Sequence, residues 1–203
     1  MDILRGLHLP DYLSLTAVFW AWISIVVILI GNPNWAIIMS LIAFAFDVMD
    51  GYFARTLNLE SSLGRQIDSY GDVFTYLVFS ALFFYKFISP NLAISLTVGF
   101  LVLLFGGLRL IRFNNEGMLE DRGKKYYRGL IVTYVWLITI ASYFFGKFVG
   151  QWSHWYTTFL LIIVSPLMLG NFKNYKIKSS TPPFLVICLF LLLSLYLEYG
   201  YKK

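Results

Sequence analysis

Charge is scarce in this chain: Asp, Glu, Lys and Arg make up 13% of its 203 residues, against roughly 25% in soluble domains. There is one cysteine, Cys188, and there are two isolated histidines, His8 and His154. A single thiol excludes a disulfide within the chain, and no Cys/His spacing exists from which a zinc site could be built. Residues 1–10 lack the charged, then apolar, then small-residue pattern of a cleaved leader, so the first apolar span is expected to be retained. Internal repeats and low-complexity tracts are also missing, and residues 1–203 read as one domain with no soluble module attached.

What is present is apolar. Hydrophobic residues make up 59% of the chain and the mean hydropathy is +0.70. A soluble fold of this length would need far more polar surface, so the solvent is read as lipid. The expected fold class is all-α, because lipid offers backbone groups no outside partner. Seven segments of roughly 20 residues qualify as spans: residues 12–30, 35–55, 66–88, 91–111, 130–149, 155–170 and 184–199. Trp and Tyr gather near their ends, as in residues 151–156, where interfacial aromatic belts form.

The net charge of +5 is not read as nucleic-acid binding, because the cations are confined to a few loops. Arg55 and Arg65 follow the second span. Arg112, Arg122, Lys124, Lys125 and Arg128 follow the fourth, and Lys173, Lys176 and Lys178 follow the sixth. Basic loops stay in the cytoplasm, which places the N-terminus inside and the C-terminus outside; Lys202 and Lys203 run against that placement.

Against this apolar background the second and third spans carry acid. Asp47 and Asp50 are three apart and share a helix face; Gly64, Asp68 and Asp72 are spaced by four and share another. The polar stretch 56–65 can turn the chain so that the two faces meet near the cytoplasmic boundary. Four carboxylates at that depth repel one another and cost ~3 kcal/mol or more each, so a cation must neutralise them. All-oxygen ligands select Mg²⁺, Mn²⁺ or Ca²⁺ over zinc, and four carboxylates suit two ions, an arrangement fitted to displacement at phosphorus.

The string Asp47-x2-Asp50-Gly51-x2-Ala54-Arg55-x8-Gly64-x3-Asp68-x3-Asp72 resembles the signature of the CDP-alcohol phosphotransferase family at every fixed position. Eight such matches by chance have a frequency on the order of 10⁻¹⁰ per start point. The resemblance implies a six-helix membrane core, here with one span more, that acts as a homodimer. It implies that Asp47, Asp50, Asp68 and Asp72 hold two divalent ions, with Asp72 also the base that takes the proton of the attacking hydroxyl. Arg55 would contact the donor diphosphate, and Gly51, Ala54 and Gly64 would leave room for the nucleotide. The implied reaction is attack of an alcohol on the β-phosphate of a CDP-linked donor, with CMP leaving.

Three further strings are similar to the phosphatidylserine synthase branch of that family: Leu108-Arg109-Leu110-Ile111-Arg112-Phe113-Asn114, Tyr127-Arg128-Gly129-Leu130 and Met168-Leu169-Gly170-Asn171-Phe172-Lys173. The chain departs from the branch at Val73-Phe74-Thr75-Tyr76, where Ser-Phe-Gly is usual, and at Ile131, where Pro is usual. The branch implies CDP-diacylglycerol, or its ether-lipid counterpart, as donor and L-serine as acceptor. Glycerol phosphate, inositol phosphate, choline and ethanolamine stand as alternative acceptors. Arg109 and Arg112 share a helix face and are the candidate acceptor-binding pair; Lys124, Lys125, Arg128 and Asn114 are weaker candidates beside a plain topogenic reading. A channel or transporter using the aspartates as a cation path accounts for the buried acid but not for Gly51, Arg55 and Gly64 at their spacing. The short chain is read as an enzyme of a prokaryotic plasma membrane with its active site facing the cytoplasm.

Overall fold

A computed structural model describes residues 6–121, 124–150, 152–175 and 181–200. Arg122, Lys176, Lys178, Lys202 and Lys203, used above for orientation, lie outside the described residues.

Among the described residues there are seven helices, the number of spans expected: α1 (Leu9–Ile30), α2 (Pro33–Thr56), α3 (Ser62–Ile88), α4 (Leu92–Glu116), α5 (Thr133–Val149), α6 (Trp152–Leu167) and α7 (Thr181–Leu195). The first four are long and apolar enough to cross a membrane. At 17, 16 and 15 residues, α5, α6 and α7 are shorter than the roughly 20 residues that a span needs; Gly150 ends α5 at φ +72°, and Pro166 stands in the last turn of α6. Two stretches of α3, Val73–Val78 and Phe84–Ile88, are π-helical, and a third π-helical turn, Tyr196–Gly200, follows α7.

Local chemistry sets the helix ends. Pro10 stands in the first turn of α1, and Gly31 closes that helix in the left-handed region at φ +96°. Asn32 then caps α2 by accepting from the Trp35 N–H at 3.1 Å, and Asn91 caps α4 through the Ile94 N–H at 2.9 Å. Between α2 and α3 only five residues intervene, and Ser61 caps α3 by accepting from the Gly64 N–H at 2.8 Å. That short connection folds the two acid-bearing helices against each other.

The interior is built from Ile37, Leu41, Phe44, Tyr76, Phe79, Phe83, Trp136 and Ile140, all buried. Leu92, Leu96 and Phe100 are 59–64% exposed at four-residue spacing, the outward stripe that a lipid-facing helix presents. Small and polar residues join the helices, as membrane packing demands. The Ser24 hydroxyl donates to the Ala36 carbonyl at 2.7 Å, Trp136 Nε1 donates to Ser40 Oγ at 3.3 Å, and Gly106 leaves room for Leu77.

One element departs from the all-helical expectation. The segments after α4 and α6, expected as loops, form a three-stranded antiparallel sheet of β1 (Leu119–Asp121), β2 (Lys124–Arg128) and β3 (Lys173–Tyr175), in the order β1-β2-β3. Tyr126 pairs with Leu119 on one side and Tyr175 on the other. Ion pairs from Lys173 Nζ to Asp121 Oδ2 (2.5 Å) and from Arg128 to Glu116 (3.3 Å) tie the sheet to itself and to the end of α4. Residues outside the apolar slab are free to pair as strands, and this sheet lies at the same end of the bundle as the aspartates.

Candidate active site

The acidic faces of α2 and α3 do meet. One carboxylate oxygen from each of Asp47, Asp50 and Asp68 lies within 4.8 Å of the others. Asp72, one turn further along α3, stands outside that set; its carboxyl adjoins Asp47 and feels the positive charge of Arg109. The expected four-carboxylate cluster is therefore a triad with a fourth acid beside it.

Hydroxyls hold two of the triad carboxylates, and a neighbouring bond ties down the turn that carries the third. Asp50 is 4% exposed and accepts a short hydrogen bond from the Ser14 hydroxyl of α1. Asp47 Oδ2 accepts from the Tyr76 hydroxyl at 2.5 Å. Ser69, next to Asp68, donates to Asn114 Oδ1 at 3.0 Å and so ties α3 to α4. Neither Ser14 nor Tyr76 was legible as a site residue in the sequence; each is defined only by which helix face it meets. The chemistry of the donor set fits a divalent ion of the Mg²⁺, Mn²⁺ or Ca²⁺ class: three clustered carboxylates without a nitrogen or sulfur ligand.

Asp50 and Asp68 of the triad face a cavity of about 460 Å³. Asp50, Gly51, Ala54, Arg55, Gly64 and Asp68 line it, together with Phe113 and Tyr127 from the other side. The glycines have local reasons. A Cβ on Gly51 would stand 3.0 Å from Nη1 of Arg55, so the missing side chain lets that guanidinium fold back over α2. A Cβ on Gly64 would stand 2.8 Å from Oδ1 of Asp11, so α1 and α3 can close only over a glycine. Asp11 joins Asp50 as a buried acid in the cavity wall, 4% exposed, and its Oδ2 accepts from the His8 N–H at 2.7 Å. Its sequence signal is a helix-capping one: an acid in the first turn after a proline.

Arg109 and Arg112 have separate fates. Arg109 is 5% exposed, with its guanidinium carbon 5.2 Å from the Phe113 ring centroid and 5.6 Å from that of Tyr127. Asp72 exerts the largest attraction on it. Arg112 instead turns to backbone. It donates to the carbonyl oxygens of Arg128 (2.8 Å), Leu169 (2.9 Å) and Met168 (3.0 Å). Gly129, at φ +70°, sits against the same turn, where a Cβ would meet the Leu167 carbonyl at 3.0 Å; its N–H donates to the Phe172 carbonyl at 2.9 Å. The three strings separated in sequence thus form one clamp joining α4, β2 and the end of α6. Within it, burial pushes the Tyr127 phenol up from its ordinary value, against the opposing pull of Arg109 and Arg55. Asn114 serves Ser69, and Arg128 pairs with Glu116.

Several proteins of other organisms are similar to this chain. Archaetidylserine synthase of Methanothermobacter thermautotrophicus is 32% identical over 173 residues, covering 84% of this chain and 71% of that protein. CDP-diacylglycerol–serine O-phosphatidyltransferase of Helicobacter pylori is 28% identical over 166 residues, 77% of this chain and 67% of its own. The enzyme of that name from Methanocaldococcus jannaschii is 28% identical over 175 residues, 86% and 77% of the two chains. Residues 7–165, which include the triad, the cavity wall and both arginines, match the CDP-alcohol phosphatidyltransferase family, and the chain belongs to it.

Proposed function

We propose that this enzyme transfers the phosphatidyl or archaetidyl group of a CDP-linked lipid to the hydroxyl of L-serine, releasing CMP. The observation that carries the reading is the meeting of Asp47, Asp50 and Asp68, of which Asp50 and Asp68 line a cavity together with Gly51, Ala54, Arg55 and Gly64. The relatives named above are serine transferases, which favours serine over the alternative alcohols.

Asp47, Asp50 and Asp68 would hold two divalent ions, Mg²⁺ or Mn²⁺. Bound there, such ions supply the positive charge that a diphosphate and a departing phosphate need. Arg55, folded over Gly51 at the cavity wall, offers a planar fork to the diphosphate. Gly64 keeps the wall flat where α1 and α3 close, leaving the cavity to the nucleotide. Asp72 stands beside the triad without joining it, which suits a proton acceptor. Its carboxylate takes the serine hydroxyl proton as Oγ attacks the β-phosphorus; a P–Oγ bond forms, the bridging P–O bond breaks, and CMP leaves with that electron pair. Positioning and charge carry such transfers.

We place the acceptor carboxylate on Arg109, whose planar guanidinium is held between two rings near Asp72. Arg112 supports that wall as the clamp and leaves the serine to Arg109. Arg55, Arg65, Arg112 and Arg128 stand at the triad's end of the bundle, which supports a cytoplasm-facing site in a prokaryotic plasma membrane. A homodimer completes the reading.

The test offers purified protein a labelled CDP-lipid with serine, glycerol phosphate, inositol phosphate, choline or ethanolamine, with and without Mg²⁺ or Mn²⁺. Metal-dependent CMP release with serine alone is expected. Release with another alcohol and not serine overturns the acceptor, and metal-independent release overturns the role of the aspartates.

A further inference from the structure

A second cavity, of about 290 Å³, lies at the end of the bundle away from the aspartates, where α5 gives way to α6. It is near the lower edge of the range for small-molecule sites, roughly 300–1,000 Å³. Ser142, Lys147, Ser153 and His154 line it, and no carboxylate does among the described residues.

The two serines are the informative pair. Each is only 5% exposed, yet neither hydroxyl has a hydrogen-bond partner among the described residues. Other hydroxyls of α5 and α6 behave differently: Thr139, Thr157, Thr158 and Ser165 each bond back to the carbonyl four residues earlier, at 2.7–2.8 Å. Both serines line the cavity, and their O–H groups, without a protein partner among the described residues, are free to donate to an occupant with acceptor oxygens.

The cation fits. Lys147 Nζ lies 5.0 Å from the centroid of the Tyr143 ring, at the cavity wall. His154 Nδ1 bonds the Ile88 carbonyl; a carbonyl only accepts, so Nδ1 carries the proton and that bond fixes the ring at the cavity wall. The nearest acid is turned elsewhere. Tyr143 donates to Asn34 Oδ1 at 3.3 Å, and Asn34 donates to Glu198 Oε2 at 3.1 Å.

We infer that this cavity is a binding site for a phosphate group, held by the Lys147 ammonium and the Ser142 and Ser153 hydroxyls at the membrane face opposite the reaction. A phospholipid headgroup and free inorganic phosphate share that chemistry. The inference does not rest on the proposed reaction.

The test follows thermal unfolding of the full-length protein in detergent, titrated with dihexanoylphosphatidic acid, with dihexanoylglycerol or with inorganic phosphate. Saturable stabilisation by the phosphatidic acid is expected, at least tenfold weaker in Lys147→Gln and in the Ser142→Ala/Ser153→Ala double variant, and retained in Asp68→Asn. Turnover in the first two variants shows that they fold. A matching response to inorganic phosphate assigns the site to the free ion, and its absence assigns the site to a lipid headgroup. Equal responses in wild type and both cavity variants, an equal effect of dihexanoylglycerol, or no saturable response to either phosphate probe overturns the inference.

Discussion

The hydroxyl of Tyr76 donates to Oδ2 of Asp47 across 2.5 Å, linking the π-helical stretch of α3 to the acidic face of α2. A π turn widens the helix and changes the phase of the side chains that follow it. Tyr76, 1% exposed, is thereby brought round beneath the triad, with its ring packed edge-on to Phe44 and Trp136. Tyr76→Phe keeps that packing and removes only the donor. Outer hydrogen bonds to metal ligands are worth about 10–100-fold in metal affinity. The Mg²⁺ or Mn²⁺ concentration for half-maximal CMP release is expected to rise about tenfold, with thermal stability nearly unchanged. An unaltered metal dependence would show that Asp47 is oriented without Tyr76.

Asp68 and Asp72 should fail in different ways. Asp68→Asn removes one triad carboxylate, and both metal-dependent nucleotide binding and turnover are expected to be lost while the protein still inserts and folds. Asp72→Asn leaves the triad intact. CDP-lipid binding should then stay within about threefold of wild type while turnover drops by roughly 10²–10⁴. Calorimetric titration with the nucleotide, alongside CMP release, separates the two; turnover retained by Asp68→Asn sinks the metal reading.

The two arginines of α4 give a second contrast. Lys cannot reproduce a planar fork on several carbonyls, so Arg112→Lys should lower stability by about 1–3 kcal/mol and depress kcat without a selective change in the serine KM. Arg109→Lys should raise the serine KM at least tenfold while the CDP-lipid KM moves little. Steady-state kinetics in both substrates decide; a selective serine effect at Arg112 would reverse the assignment.

Gly64→Ala places a methyl 2.8 Å from Asp11 Oδ1, closer than real contacts allow. The expected cost is about 1–3 kcal/mol from overpacking, with weaker nucleotide binding because α1 and α3 are forced apart. The double change Gly64→Ala/Asp11→Ala should recover most of the stability. A single variant as stable as wild type would mean that the α1–α3 contact yields at no cost.

Tyr127 supplies a pH test. Burial raises its pKa in the folded state, so the fold favours the neutral phenol. That contribution is fully present below the unfolded value of about 10 and is lost as pH rises through the folded one. Unfolding temperature measured from pH 8 to 11.5 should fall more steeply in wild type than in Tyr127→Phe above about pH 10. Parallel curves would place the phenol in water.

Much of this site is legible in one dimension because helical spacing converts directly into a shared face. Asp47 with Asp50, and Gly64 with Asp68, meet that condition, and the five-residue connection between their helices leaves little choice but apposition. Asp72 obeys the same spacing yet stands one turn further along α3, where its carboxyl adjoins Asp47 and not all three of the triad. The sheet was missed because its strands are three to five residues long, too short for alternation to show among the lysines and tyrosines of a basic loop.

The linear order of residues determined the membrane setting, the helical class, the acidic pair of faces and the family to which the chain belongs, since each is written in local composition and in periods of three and four. Folding in three dimensions decided how the two arginines differ, why Ser14, Tyr76 and Asp11 belong to the site, and what waits at the bundle's far end. Those depend on contacts between residues far apart in sequence, 57 positions for Arg112 with the Leu169 carbonyl and 164 for Asn34 with Glu198, and no local pattern records which distant carbonyl, ring or hydroxyl will arrive beside a given residue.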